Sequence, residues 1–495
     1  MQNSWRPKSG DRIFRPRRIK HYRLRRILGV PALFSAGYGD VGSSIYYALG
    51  IVALVAMGAT PLVLAAAGII YVFNALTYAE GSAMIPEAGG SASFARHGFN
   101  DLGGFIAGWA LMLSYIATIS ISSYTIPPYL SYFWPILKEP AIATAVSMGI
   151  ILFLMLLNVI GVRETSRLNI TFIAIDITTQ LALVVSGIVL ILWVNPGVLF
   201  QNMFGSGNWP TTQNLVFGIA LAALAFTGVE TVSQMAQEAR RPAEQVPKAY
   251  ILMIVTVLIL FAGISLVALS AMTPQVLGDP VNGWARDPVA GIAANLPSAR
   301  LQAVFSPLVA ILAATILLTA TNAGLMGISR LAFNLSSHQQ LPSTLSRVHP
   351  RFRTPYIAII AFCIIAIILM IPGFFIKNFF ADLGALYAFG SLLSFTIAHA
   401  AVLSLRIKQP DLLRPFKLGG NIRVKGREIP IIVILGLVTT SAVWTVLITT
   451  QAYSRWAGLA WMAVGLVLYW AYRQSKHLPL THIKKEPTGL STKQP

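Results

Sequence analysis

Apolar runs of about 20 residues recur along the whole chain, and an uncharged run of that length is what a helix needs to cross the hydrocarbon core of a bilayer. They fall near residues 28–57, 61–84, 103–130, 141–160, 168–194, 213–236, 248–272, 302–335, 355–373, 379–405, 430–451 and 456–473, which predicts twelve transmembrane helices. The first and eighth are long enough to overrun the bilayer or to tilt in it. Composition agrees: 55% of the 495 residues are hydrophobic, 11% are charged, and the mean hydropathy is +0.68, values that exclude a soluble globular chain. The predicted class is an all-α integral membrane protein.

The net charge of +20 is mostly a topology signal. Of the 37 Lys and Arg, 32 fall in the N-terminal tail, the loops after the even-numbered spans and the C-terminal tail, against 5 on the other side. The positive-inside rule then predicts a multi-pass protein of the cell membrane with both termini in the cytoplasm. Nucleic acid is not an expected partner, because that reading wants the charge on a folded soluble face. Residues 1–26 form a basic tail with no apolar stretch before Ile27, so no cleavable signal peptide is expected. The stretch Arg12 to Arg26, with Phe14, Tyr22 and Leu24 interleaved, either rests on anionic lipid headgroups or is solvated and only sets topology.

The remaining divisions are a core of ten spans over 27–408, a basic cytoplasmic loop over 409–429 and two further spans over 430–473. Residues 474–495, polar and carrying Pro479, Pro487 and Pro495, read as a disordered cytoplasmic tail. The single cysteine, Cys363, excludes an intramolecular disulfide and a cysteine metal cluster. The seven histidines are scattered, with only His399 clearly inside a span, and no motif that cradles nucleotide phosphates occurs. A membrane enzyme and an ATP-driven pump are therefore not expected.

Two spans are interrupted. The first carries Gly37-Tyr38-Gly39-Asp40-Val41-Gly42-Ser43-Ser44 and the sixth carries Ala225-Phe226-Thr227-Gly228-Val229-Glu230. Broken backbone at membrane depth is tolerated only where protein or a water-filled cavity satisfies it, so both are candidate solute sites. Matching breaks five spans apart are what an inverted five-helix repeat would show, with spans 11 and 12 outside it. Taken singly, each glycine also fits close helix packing. In span 3, Ser114, Thr118 and Ser122 share one helical face and either line a polar cavity or bond helix to helix.

The sixth-span phrase Ala225 to Ser233, followed by Glu238, Arg240-Arg241-Pro242 and Val246-Pro247-Lys248-Ala249, resembles the sixth-helix signature of the amino acid/polyamine/organocation permease superfamily. Further landmarks agree in order: Tyr78-Ala79-Glu80 with Pro86 to Gly90, Asn158 to Glu164, Thr321-Asn322-Ala323, Ser329-Arg330, Leu341-Pro342, Val348 to Phe352 with Thr354-Pro355-Tyr356, and Arg414-Pro415-Phe416-Lys417. The resemblance covers roughly residues 27 to 430. It implies the leucine-transporter fold, two inverted five-helix repeats plus two C-terminal helices, working by alternating access. It also implies a secondary permease that imports an amino acid, amine or related small organic solute, coupled to H+ or Na+ and needing no other cofactor.

Carried onto this sequence, the family's geometry places the substrate against Gly39, Gly42, Ser43 and Ser44 of the first helix. The N–H groups of Gly42, Ser43 and Ser44 would face a substrate carboxylate with help from the helix dipole. The carbonyls of Ala225, Phe226 and Thr227 would accept from an ammonium group or coordinate a cation. Phe226 either closes over the solute as a gate or packs as an ordinary helix residue.

Departures from the commonest amino-acid permease pattern bear on the ion. Asp40 stands where those permeases usually have an uncharged residue, and Gly39 to Ser44 with Tyr46-Tyr47 is also similar to the first helix of the bacterial potassium uptake permeases. Asp40 therefore either binds a cation or carries the coupled proton, or it caps the next half-helix. Asp176 occupies the place of a lysine in proton-coupled members, and either ligates a cation, exchanges a proton, or bonds to Thr178, Thr179 or a neighbouring helix. Glu230 matches an acid that links the broken helices, with proton transfer as its other reading. Ser114 stands where the potassium permeases usually have an acid, which leaves K+ uptake as an alternative and a non-transporting solute sensor as another.

Overall fold

The computed structural model describes residues 26–161, 166–192, 197–376, 379–424 and 427–481. The lipid and signal-peptide readings of the N-terminal tail lie outside the described residues. From the start of the first span, α1 (Val30–Val41), α2 (Ile45–Ala56) and α3 (Thr60–Met84) follow one another through 3-10 turns at Gly42–Ser44 and Met57–Ala59. Proline in the first turn starts α1 and α3, where its missing N–H costs nothing. Met57, at φ 48°, breaks the helical trend between α2 and α3.

A short α4 (Ser91–Gly98) leads to α5 (Asp101–Leu130), capped by Asn100, whose side chain accepts from the Gly103 N–H at 2.9 Å. Then come α6 (Pro140–Ile160), α7 (Ser166–Gly187), α8 (Gly197–Phe204), α9 (Thr212–Ala222), α10 (Glu230–Met235) and α11 (Pro242–Ala271). Two short helices, α12 (Pro274–Gly278) and α13 (Pro288–Ala294), precede α14 (Ala299–Ser337), α15 (Tyr356–Met370) and α16 (Phe379–Lys408). The strands β1 (Asn421–Val424) and β2 (Arg427–Pro430) pair antiparallel, and α17 (Ile431–Thr450) and α18 (Ala452–Ser475) end the described chain.

Among the described residues, ten helical segments are long and apolar enough to cross a membrane. The difference from twelve apolar runs has two sources. The first two runs form one helical path of 55 residues, Val30–Met84, and α18, over the twelfth run, is too rich in Trp, Tyr and Arg to pass on hydropathy. The 409–429 loop holds most of a β-hairpin in register Ile422 to Ile429 and Arg423 to Glu428. One expectation is corrected. The 474–495 tail is ordered at its start: the Tyr469 hydroxyl donates to the Leu480 carbonyl and Arg473 to that of Pro479, folding 476–481 back on α18.

Helix α5 is the centre of the bundle. In its apolar window 94% of residues are buried, against 22% for α17, which places α17 at the periphery. It packs lengthwise on α14 and α16, while α3 lies along α11. Helix α18 is held to α5 by a reciprocal pair: the Trp109 indole donates to the Trp461 carbonyl at 2.8 Å and the Trp461 indole to the Trp109 carbonyl at 2.9 Å. The two rings stack at 4.6 Å. Outward residues such as Leu156, Val185, Ile259, Ile368 and Val438 are exposed and apolar, the surface a bilayer requires.

Two buried ion pairs fasten helix ends. Arg406 of α16 grips Glu80 of α3 with both arms of its guanidinium, at 2.7 and 2.6 Å, and the Leu418 N–H donates to the same carboxylate at 2.9 Å. Arg473 of α18 meets Asp101 of α5 at 3.1 Å. His399, the one histidine placed inside a span, bridges Thr77 and Asn74 through both ring nitrogens and so serves helix packing.

Candidate site at the junction of the broken helices

The two interruptions differ in kind. At Gly42–Ser44 the first helix tightens to a 3-10 turn without unwinding: Gly42 has φ −65° and ψ −30°, and its N–H donates to the Tyr38 carbonyl. In this conformation that donor is therefore taken by the chain itself. The sixth span is broken outright. After a 3-10 turn at Ala223–Phe226, Thr227 is extended at φ −82° and ψ 165°, Gly228 has φ 98°, and α10 restarts at Glu230. Only glycine adopts that φ without strain. Glu230 closes the gap, its carboxylate accepting the Gly228 N–H at 3.2 Å, while the Tyr250 hydroxyl donates to the Val229 carbonyl at 3.0 Å.

The break sits directly on the first helix. A Cβ added to Gly228 would lie 2.7 Å from Asp40 Cγ and 2.9 Å from the Val41 nitrogen, so the two backbones meet with no room for a side chain. Across this contact the Thr231 hydroxyl donates to Asp40 Oδ2 at 2.5 Å. Asp40 Oδ1 is buried with no protein partner. No side-chain cap is made at the 42–44 turn or at the start of α2, so Asp40 does not act as the N-cap of the second half-helix; its partner is on the other broken helix. Beside it, the Ser43 hydroxyl donates to the Asp40 carbonyl at 2.8 Å, and Ser44 and Tyr47 share a hydrogen bond at 2.9 Å.

Asp176 makes a second clamp on the same helix. Its carboxylate accepts from the Tyr46 hydroxyl at 2.6 Å, the Tyr38 hydroxyl at 3.2 Å and the Gln180 amide at 2.7 Å. Tyr38 precedes the 42–44 turn and Tyr46 follows it, so one carboxylate on α7 spans the interruption. Thr178, one of the expected partners, instead donates to the Ala174 carbonyl. A cleft of about 10 Å³ beside Asp176 runs between α7 and α14, lined by Phe172, Ile173, Thr315 and Thr319. Gly39 faces the same two helices, its side nearest Ile173 and Thr319.

The other expected residues separate. Phe226 is buried between the rings of Tyr71 at 5.3 Å and Phe261 at 5.1 Å, which is the helix-packing arrangement. Ala225 and Thr227 flank it in the break, and the Thr227 hydroxyl donates back to the Leu224 carbonyl at 2.7 Å. Ser114 bonds across to Ser391 of α16 at 3.2 Å, and the Thr118 hydroxyl donates to the Ser114 carbonyl at 3.0 Å; both bonds join or stay within α5 and α16. From the sequence, Thr231, Tyr38 and Tyr46 fall within quoted motifs but carry no role of their own, and Gln180 is not marked at all. Gln180, four residues after Asp176, carried the one local signal, an i,i+4 pair.

Among the described residues, no Lys, Arg or His forms an ion pair with Asp40, Asp176 or Glu230. No group of His, Cys, Asp and Glu among them has the makings of a metal cluster. What the geometry offers is two buried acids, Asp40 and Glu230, where the two interrupted helices cross, and a third, Asp176, that holds the first helix from α7. A family model described as amino acid permease matches residues 28–472. The chain belongs to that family. This permease is 27% identical to the branched-chain amino acid permease of Bacillus subtilis (strain 168), over 92% of this chain and 95% of the relative. It is 26% identical to the methylthioribose transporter of the same organism, again over 92% and 95%. To the large neutral amino acids transporter small subunit 2 of Homo sapiens it is 25% identical over 83% and 73%. It is therefore a membrane transporter of small solutes and not an enzyme.

Proposed function

We propose that this permease imports an amino acid, amine or related small organic solute across the cell membrane by alternating access, driven by H+ or Na+. The observation that carries the reading is Asp40, a buried carboxylate with one oxygen lacking a protein partner, pressed against the Thr227–Gly228 break. A buried acid with no cationic neighbour holds either a proton or a cation, because the bare charge is too costly at membrane depth. Asp40 is the ion or proton site, Asp176 holds the first helix across its tightened turn and shares the coupling, and Glu230 links the halves of the sixth span. The fold is twelve spans with two inverted five-helix repeats, and both termini lie in the cytoplasm. The solute lies against Gly39, Gly42, Ser43, Ser44 and the 225–227 segment, and Ser114 and Thr118 join it when α5 and α16 part. The relatives named for branched-chain and large neutral amino acids support an amino acid first and the methylthioribose transporter a wider range.

A thermal-shift panel of amino acids, polyamines and K+ on purified protein tests the substrate class, since a ligand that binds only the folded state raises its melting temperature. An amino acid or amine response supports the proposal, and a response to K+ alone replaces it with cation uptake. Flux into proteoliposomes completes the test: solute binding with no uptake would make the protein a sensor. Asp40→Asn and Asp176→Asn are each expected to reduce coupled uptake. Wild-type flux with unchanged pH and Na+ dependence in both would remove the ionic role.

A further inference from the structure

We propose that the Tyr129 hydroxyl latches the segment at residues 273–298 over the outer half of the first helix, and that Asp176 holds this latch through Tyr46. The inference rests on the proposed carrier with its termini in the cytoplasm, which puts this segment, between α11 and α14, outside the cell. The segment carries α12 and α13, and its Leu277, Ala285, Val289 and Ile292 are buried. It lies close on α2. A Cβ on Gly50 would run into the Ala285 backbone, and one on Gly278 would lie 2.7 Å from the Leu54 nitrogen. Gly50 and Leu54 follow Tyr46 at four-residue steps, so the segment covers the face of α2 that begins at Tyr46.

Tyr129, near the end of α5, joins the two. Its hydroxyl donates to the Tyr46 carbonyl at 2.8 Å and accepts the Val289 N–H of α13 at 3.3 Å, so one phenol serves as donor and acceptor at once. Tyr129 is buried, and its ring stands edge-on to that of Tyr46 at 5.5 Å. The Tyr46 hydroxyl, at the other end of the same residue, donates to Asp176 at 2.6 Å. Asp176, Tyr46, Tyr129 and Val289 are thus joined in sequence by hydrogen bonds. A solute or ion that changes the bonding of Asp176 moves Tyr46, and the segment keeps or loses its latch accordingly. A second tie bypasses Asp176: the Lys138 ammonium, beyond the end of α5, stands 5.2 Å from the centre of the Trp284 ring. Loss of the latch therefore loosens the segment without freeing it.

Tyr129→Phe is the decisive variant, because it keeps the ring contact with Tyr46 and removes only the hydroxyl. Ala285→Cys in the full chain supplies the reporter: Ala285 is buried under the closed segment, and the native Cys363 is buried too. A membrane-impermeant maleimide is added to intact cells and, in parallel, to inverted vesicles, and each labelling rate is divided by the total label taken up after denaturation. Severalfold faster labelling from outside is expected in Tyr129→Phe, and likewise in Tyr46→Phe and Asp176→Asn. All three break one line, so either of the last two combined with Tyr129→Phe should label no faster than Tyr129→Phe alone. If Tyr129→Phe labels at the rate of Ala285→Cys by itself, the latch is overturned; additive rates in the pairs would overturn its link to Asp176. Labelling only in inverted vesicles would overturn the orientation. Failure of cells carrying the unsubstituted chain to take up any radioactive standard amino acid would overturn the proposed amino acid import, and neither of these two results alters the comparison between variants.

Discussion

Gly228 shows how much of the site depends on one missing carbon. At φ 98° it occupies backbone space that other residues enter only with strain of about 1–3 kcal/mol. A methyl group there would also press on Asp40 Cγ at 2.7 Å. Gly228→Ala is therefore expected to lower the melting temperature in detergent and to impair uptake beyond the loss of stability. A variant with wild-type uptake would show that the contact with Asp40 opens before transport. The neighbouring acids illustrate what sequence does and does not reveal at this scale. Asp40, Asp176 and Glu230 stood out because ionisable residues are rare inside spans. Thr231, Tyr38 and Tyr46 did not, because a hydroxyl in a helix bonds equally well to its own backbone, and which partner it takes is decided by packing between segments far apart in the chain.

At the scale of the element, the first helix is a helix held from two sides. Asp176 takes Tyr38 and Tyr46 on one side, and Asp40 takes Thr231 on the other. Removing one partner of a buried hydrogen bond costs about 1–3 kcal/mol, so Tyr46→Phe should destabilise by that order. A double-mutant cycle with Asp176→Asn checks it, and strictly additive effects would show the bond carries no coupling. The Glu80–Arg406 pair makes a sharper case. Removing one partner of a buried pair leaves the other charge unmatched, at a cost of about 3–5 kcal/mol, whereas replacing both by apolar residues is often near neutral. Glu80→Met is thus expected to lower the melting temperature strongly and Glu80→Met with Arg406→Met to recover most of it. The helices themselves were legible from their apolar runs. The character of the first interruption was not: glycines and serines mark a weak point, and whether it unwinds or only tightens depends on the clamps.

For the whole molecule, the surface at the end of α3 predicts a pH response. Burial alone would push the Glu87 carboxyl up, but the hydrogen bond from His97 and the charges of Arg96 and His97 outweigh it and hold the carboxyl well below the usual carboxylate range. A folded-state pKa that is depressed contributes stability above the unfolded value of about 4.3 and loses it as pH falls through the folded value. The melting-temperature gap between wild type and Glu87→Gln should therefore hold steady from pH 6 to pH 5 and narrow below about pH 4. A gap that persists at lower pH would mean that the carboxylate contributes through shape and not charge. The overall class and the order of helices could be read from hydropathy and charge alone, while the merging of the first two runs into one path and the hairpin after α16 could not. Neither follows from residue type.

The reciprocal indole pair between α5 and α18 has a use in measurement. Each ring is bonded to the other's backbone, so α18 cannot slide or turn along α5 without breaking both bonds at once. A fluorophore placed near Ser475 would therefore be a fixed survey point. Distances from it to a second label on α1 would report the motion of that helix alone, with the bundle's own centre as the frame of reference.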